Sequence, residues 1–230
     1  MIAKLAVLLT VVALGLFLRR RWTLRHRAAA IDSYPYARWL DKRLAARRPE
    51  LTPEQRAEVF ACLVEYFHLC RLAGRRMVAM PSQAVDDAWH EFILFTRHYD
   101  QFCRNAFGRF LHHTPAEAMA SPRVASDGIK RAWRLACERE GINPKTPARL
   151  PRLFALDARL GIVGGFVYVL DCMAAGQRDG NTYCASDIGC GGGCGGDSGS
   201  SFDSGSDAGD GGSGGDGGSG CGGGCGGGGD

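Results

Sequence analysis

The sequence predicts a mainly α fold, an irregular helical bundle of about five or six helices with an N-terminal transmembrane helix and a disordered glycine-rich C-terminal tail. Three observations predict it. The chain opens with an apolar run, IAKLAVLLTVVALGLFL over residues 2–18, in which Lys4 is the only charge. The middle carries apolar residues at helical spacing, punctuated by helix-capping signals. The end, from Gly189, is Gly, Ser, Asp and Cys with Phe202 as its single aromatic, and most of the chain's 33 glycines fall there. The expected divisions are an anchor over 1–20, a basic juxtamembrane linker over 21–33, a helical domain over 34–176 and a tail over 177–230. The middle part is long enough to bury a core.

The apolar run comes first. As a helix, residues 2–18 span about 25 Å, slightly short of a hydrocarbon core near 30 Å. Lys4 and Arg19 can snorkel to the two interfaces and make up the difference. A cleaved signal peptide carries its positive charge before the apolar stretch, whereas here Arg19, Arg20, Arg21, Arg25 and Arg27 follow it. An uncleaved anchor is therefore expected. The same arginines orient it: the positive-inside rule sets the domain and tail in the cytoplasm, a single-pass arrangement. Buried-looking cysteines such as Cys62 and Cys70 suit a reducing compartment.

In the domain, residues 34–48 form a short amphipathic helix stopped by Pro49. Thr52-Pro53-Glu54-Gln55 is a capping box with Pro at the first helical position. It opens a helix to about residue 73, with Val59, Phe60, Leu63, Tyr66, Phe67 and Cys70 on one stripe and Gly74 as terminator. Residues 77–80 connect it to the next helix, capped by Ser82 and striped by Val85, Trp89, Phe92, Tyr99, Cys103 and Phe107 up to Gly108. Thr114-Pro115-Ala116-Glu117 repeats the capping-box chemistry, and Ile129, Trp133 and Cys137 share a face of the helix that ends at Gly141. Pro144, Pro147 and Pro151 punctuate the following stretch. A short helix over 153–160 and an extended segment or small hairpin over 164–170 complete the domain.

The charge is segregated. The net charge of +4 combines a basic N-terminal end with a stretch after Arg178 that holds aspartates and no base. A basic end beside an apolar segment points to a membrane surface. Nucleic acid is not an expected partner, because the tail has no arginine and its aspartates would repel phosphate. No phosphate-cradling loop or dinucleotide fingerprint is present.

The informative stretch is Val85-Asp86-Asp87-Ala88-Trp89-His90, followed by Phe95-Thr96-Arg97, Tyr99, Phe102-Cys103, Phe107-Gly108-Arg109-Phe110 and His112-His113. It resembles the core of the plant glycine-rich domain-containing proteins and their bacterial relatives, which share a V-D-x-x-W-H segment, a downstream Tyr and Cys, and F-G-R. The likeness covers about 35 residues closely and the glycine-rich C-terminus in style. It implies a layout more than a mechanism. The plant relatives tend to carry a second His two residues after the first; this chain has Phe92 there.

Asp86 and His90 are four apart and share a helical face, so the carboxylate can orient the imidazole. His112 and His113 follow the Gly108 turn and are expected to bring at least one imidazole back toward that face. Asp86, His90, His112 and His113 are thus candidate metal ligands, with Cys103 a further thiolate, although the spacing matches no standard zinc signature. A structural Asp–His–His network is the expected role, and a divalent metal such as zinc the alternative cofactor. Cys103 lacks the elbow and oxyanion loop of a catalytic nucleophile.

In the tail, Cys190-Gly-Gly-Gly-Cys194 and Cys221-Gly-Gly-Gly-Cys225 offer four thiolates for a soft metal. The long flexible spacer between them makes incidental or redox-active thiols the expected reading. Calcium-binding nonapeptide turns are excluded, since the aliphatic residue each turn buries is missing. The function expected is an uncharacterised membrane-tethered interaction or binding module, with a protein partner engaged through the domain or tail. A metal-dependent enzyme using the Asp/His cluster is the alternative.

Overall fold

The computed structural model describes residues 2–114, 122–170, 182–185 and 188, without the side chains at 2, 3, 5, 122–125 and 182. All belong to one compact unit, residues 1–195, distinct from a second over 196–230. Among the described residues there are seven helices and two short strands: α1 (Ile2–Asp32), α2 (Tyr36–Arg47), α3 (Pro53–Ala73), α4 (Gln83–Ile93), α5 (Thr96–Phe107), α6 (Pro122–Glu140), α7 (Arg152–Leu160), β1 (Val167–Val169) and β2 (Thr182–Cys184). The mainly helical class is as expected.

Helix α3 is the central element, packed against α1, α2, α4, α6 and α7. Its start is set locally. Thr52 accepts from the Gln55 backbone N–H, the Gln55 side chain accepts from the Thr52 N–H, and Pro53 fills the first turn. Phe60, Leu63, Tyr66, Phe67, Leu69 and Cys70 are all buried, which covers more than one face, as a helix surrounded by others requires. An aromatic cluster of Tyr36, Phe67, Trp89, Phe92, Tyr99 and Phe102 joins α2, α3, α4 and α5. Trp133, on α6, packs edge-on against Phe154 of α7.

Several elements differ from expectation. The single helix expected over 82–107 is two, with a corner at Leu94 and Phe95. No Gly or Pro marks that corner; tertiary contact makes it. In a straight helix Trp89 and Tyr99 would stand about 15 Å apart along the axis. The bend lets the Trp89 Nε1–H donate to the Tyr99 hydroxyl at 3.0 Å. The small hairpin is also corrected, because β1 and β2 pair in parallel, Val167 opposite Thr182 and Val169 opposite Cys184. A parallel pair needs a crossover and not a tight turn. Strand β2 therefore extends the ordered unit past the expected boundary at 176, with Cys184 and Ala185 buried. The capping box at 114–117 lies largely outside the described residues.

At the other end, residues 21–32 of the basic stretch expected as a linker are the C-terminal part of α1. Ile31 is fully buried, and Asp32 meets His68 of α3 at 2.7 Å. Among the described residues no helix is long and apolar enough to cross a membrane. The apolar run whose side chains are described covers 6–18, about 20 Å of helix against the roughly 30 Å of a hydrocarbon core.

Candidate functional site

The site is built on α4. Ser82 caps its N-terminus by accepting from the Val85 N–H, and a carboxylate from α7 reinforces the cap. Asp157, 2% exposed, accepts from the Ser82 hydroxyl at 2.6 Å, from the Gln83 and Ala84 backbone N–H groups at 2.6 and 3.3 Å, and from the Phe166 N–H at 3.0 Å. A carboxylate at a helix N-terminus satisfies orphan donors and complements the helix dipole. Farther along α4, buried Asp87 is held by Arg47 at 2.8 Å and Arg48 at 2.7 Å, while Glu91 takes Arg43 at 2.5 Å. The inner acids of α4 are thereby committed to α2. Asp86 and His90 lie on a different side of the same helix.

The second half of the site arrives on the segment after α5. Gly108 ends α5 in the left-handed conformation, at φ +71°, where a Cβ would also collide with the Arg27 guanidinium. Arg109 then donates to the Gly74 carbonyl at 2.6 Å, tying the turn to the end of α3. Two residues on, the Tyr99 hydroxyl donates to the Leu111 carbonyl at 2.5 Å while accepting from Trp89. Burial pushes the Tyr99 hydroxyl well above its usual pKa, so it stays protonated and remains a donor. This Trp89–Tyr99–Leu111 relay holds residues 109–113 against α4. Val85, Trp89, Tyr99, Gly108 and Arg109 of that pattern take part in this construction.

The result is a cluster of three. His113 Nε2 lies 2.8 Å from Asp86 Oδ1, and His90 Nδ1 lies 3.2 Å from Asp86 Oδ2. The two imidazoles are 4.3 Å apart between ring centres, and His113 stands edge-on to Trp89 at 4.5 Å. The ligand atoms of Asp86, His90 and His113 all fall within 4.8 Å of one another. Their side chains are 18%, 39% and 12% exposed, so the cluster is walled on the Trp89 side and open beside His90. Among the described residues this is the one grouping of His, Cys, Asp and Glu suited to a metal ion.

His112 does not join it. It is exposed and packs on the Phe110 ring instead, because adjacent side chains of a non-helical chain diverge and only one of the pair can face α4. Cys103 is fully buried, with its thiol pushed up in pKa by burial. It is a core residue and no ligand. Cys190, Cys194, Cys221 and Cys225 lie outside the described residues. Sequence reading missed the roles of Asp87, Glu91 and Asp157. An i, i+4 pair of acids facing a basic helix was the available signal for the first two; for Asp157, no local signal exists.

These features define a class: a small helical domain on a long N-terminal helix, with a preorganised Asp–His–His cluster between one helix and a following strap. The chain belongs to the UCP032817-like family, whose model matches residues 26–188. That span takes in the last seven residues of α1, all of α2 to β2 and every residue of the cluster. Comparison with curated proteins and with solved structures gives no match.

Proposed function

We propose that this protein is a membrane-tethered binding module, anchored by residues 2–18, with its domain and tail in the cytoplasm. The supporting observation is the continuity of α1. Val7, Leu8, Leu9, Val11, Val12, Leu14, Leu16, Phe17 and Leu18 are each at least half exposed, yet the same unbroken helix ends with Ile31 fully buried in the domain core. An apolar helix exposed on all sides needs a non-aqueous surrounding. The fusion to the core makes the anchor a rigid stem rather than a floppy leash. Lys4 precedes the run and Arg19, Arg20, Arg21, Arg25 and Arg27 follow it, which supports the cytoplasmic orientation. A protein partner is engaged through the domain or the tail; the aspartate-bearing tail disfavours nucleic acid. The likeness of the motif to plant glycine-rich domain-containing proteins belongs to this reading.

One observation favours the reverse orientation. Cys184 is disulfide-bonded, and disulfides persist mainly in oxidising compartments. Paired fusions at the C-terminus decide between them. Green fluorescent protein should fluoresce and alkaline phosphatase should be inactive. Active phosphatase there would overturn the orientation, and a mature N-terminus near residue 30 would overturn the anchor itself. The second reading, a metal-dependent enzyme, is favoured by the convergence of Asp86, His90 and His113. His112, first grouped with them, has no part in it.

A further inference from the structure

We propose that Asp86, His90 and His113 form a mononuclear binding site for a divalent first-row transition ion, with coordination positions left open on the His90 side. The first ground is spacing. Ligand atoms around one ion at metal–ligand distances near 2.1 Å are separated by about 3.0–3.5 Å in octahedral or tetrahedral geometry. His113 Nε2 is 2.8 Å from Oδ1 of Asp86 and His90 Nδ1 is 3.2 Å from Oδ2, and one ligand atom from each of the three residues lies within 4.8 Å of the other two.

The second ground is an orphaned nitrogen. His90 Nδ1 is shielded from solvent and makes no hydrogen bond: Asp86 Oδ2 is near enough but wrongly directed. A buried polar atom left unpaired is costly and needs a reason. An ion held between His90, the Asp86 carboxylate and His113 would give that nitrogen a partner. Asp86 then supplies one oxygen, His90 Nδ1 and His113 Nε2 the two nitrogens.

The third ground is the support behind the ligands. His113 is held by the Trp89 ring and by the Tyr99 hydrogen bond to Leu111, two residues upstream; Asp86 sits in the first turn of a helix fixed by Ser82 and Asp157. Metal sites depend on such outer partners to hold ligand orientation. Two imidazoles and one carboxylate favour zinc, iron(II), cobalt(II) and their neighbours over magnesium and calcium, which prefer all-oxygen shells. Three protein ligands with an exposed flank leave room for water or an exogenous ligand, unlike the closed four-ligand shell of a structural zinc.

The inference is independent of the anchor, since cobalt binding and fusion topology are read separately. The test is cobalt(II) titration of the full-length protein in detergent, followed by displacement with zinc. Binding of one equivalent should give visible d–d bands without the thiolate-to-cobalt charge-transfer absorption that tail cysteines would produce. D86N, H90A and H113A should each weaken affinity by about 100-fold or more, Y99F by about tenfold through the strap, and H112A should match wild type. His90 is the most exposed of the three, so H90A keeps its fold, checked by circular dichroism, even where H113A does not. No binding by wild type, binding dominated by thiolate charge transfer, or unchanged affinity in folded H90A would each overturn the site.

Discussion

Replacing Tyr99 with Phe removes one oxygen from the centre of the molecule. That oxygen accepts from the Trp89 indole and donates to the Leu111 carbonyl, at 3.0 and 2.5 Å. Trp89 and Tyr99 are 3% and 1% exposed, so water cannot replace the lost partner without opening the core. Taking about 1–2 kcal/mol for each of the two orphaned buried groups, the lower part of the usual range, gives a total near 2–4 kcal/mol. A domain holding about 5–15 kcal/mol remains folded under that loss. Urea unfolding followed by far-ultraviolet circular dichroism should therefore show an earlier midpoint with an unchanged slope. Adding W89F should cost less in the Y99F background than alone, because the stranded indole donor is then gone. A Y99F loss below about 0.5 kcal/mol, or strict additivity of the pair, would refute the relay and with it the account of how His113 is held.

Two further outcomes follow from other parts of the fold. D157A should destabilise by about 3–4 kcal/mol in the same assay, since it strands the Ser82 hydroxyl and three backbone donors around the start of α4; D157N should recover part of that loss. The core thiols should be inert. Burial pushes Cys62 and Cys137 up to about 11 and Cys70 up to about 12, from an ordinary 9.0, so iodoacetamide near pH 8 should spare them in the folded protein and label them after unfolding, as read by peptide mapping. Because these folded-state values are raised, the stability they contribute is complete below 9.0 and is lost as pH rises through about 11 to 12. Unfolding free energy should fall across that window, and labelling of Cys70 in the native state would contradict its burial.

The cluster was half legible in the sequence. Asp86 and His90 announce themselves by an i, i+4 spacing off the apolar stripe, a relation the helix alone enforces. Which of His112 and His113 returns is not a local property. It depends on how the Arg109 anchor on Gly74 and the Tyr99 bond to Leu111 orient the strap, contacts that span 35 and 12 residues. The same holds for the corner at Leu94 and Phe95, where helix propensity favours continuation and only the meeting of Trp89 with Tyr99 makes bending worthwhile.

The sequence by itself determined what short-range physics controls: an opening apolar run, the helix starts at Thr52 and Ser82, the stop at Gly74, and the burial of Phe60, Phe67, Trp89 and Trp133. Each follows from periodicity or from a side chain bonding to its own neighbours. Only the tertiary structure decided that residues 21–32 continue the opening helix, which sets Ile31 in the core, that β2 joins the ordered unit in parallel, and that Asp157 caps a helix some 74 residues away in the chain. Those outcomes rest on pairings between distant segments, where a carboxylate or a strand edge finds its partner through chain packing and nothing in the neighbouring residues encodes the choice.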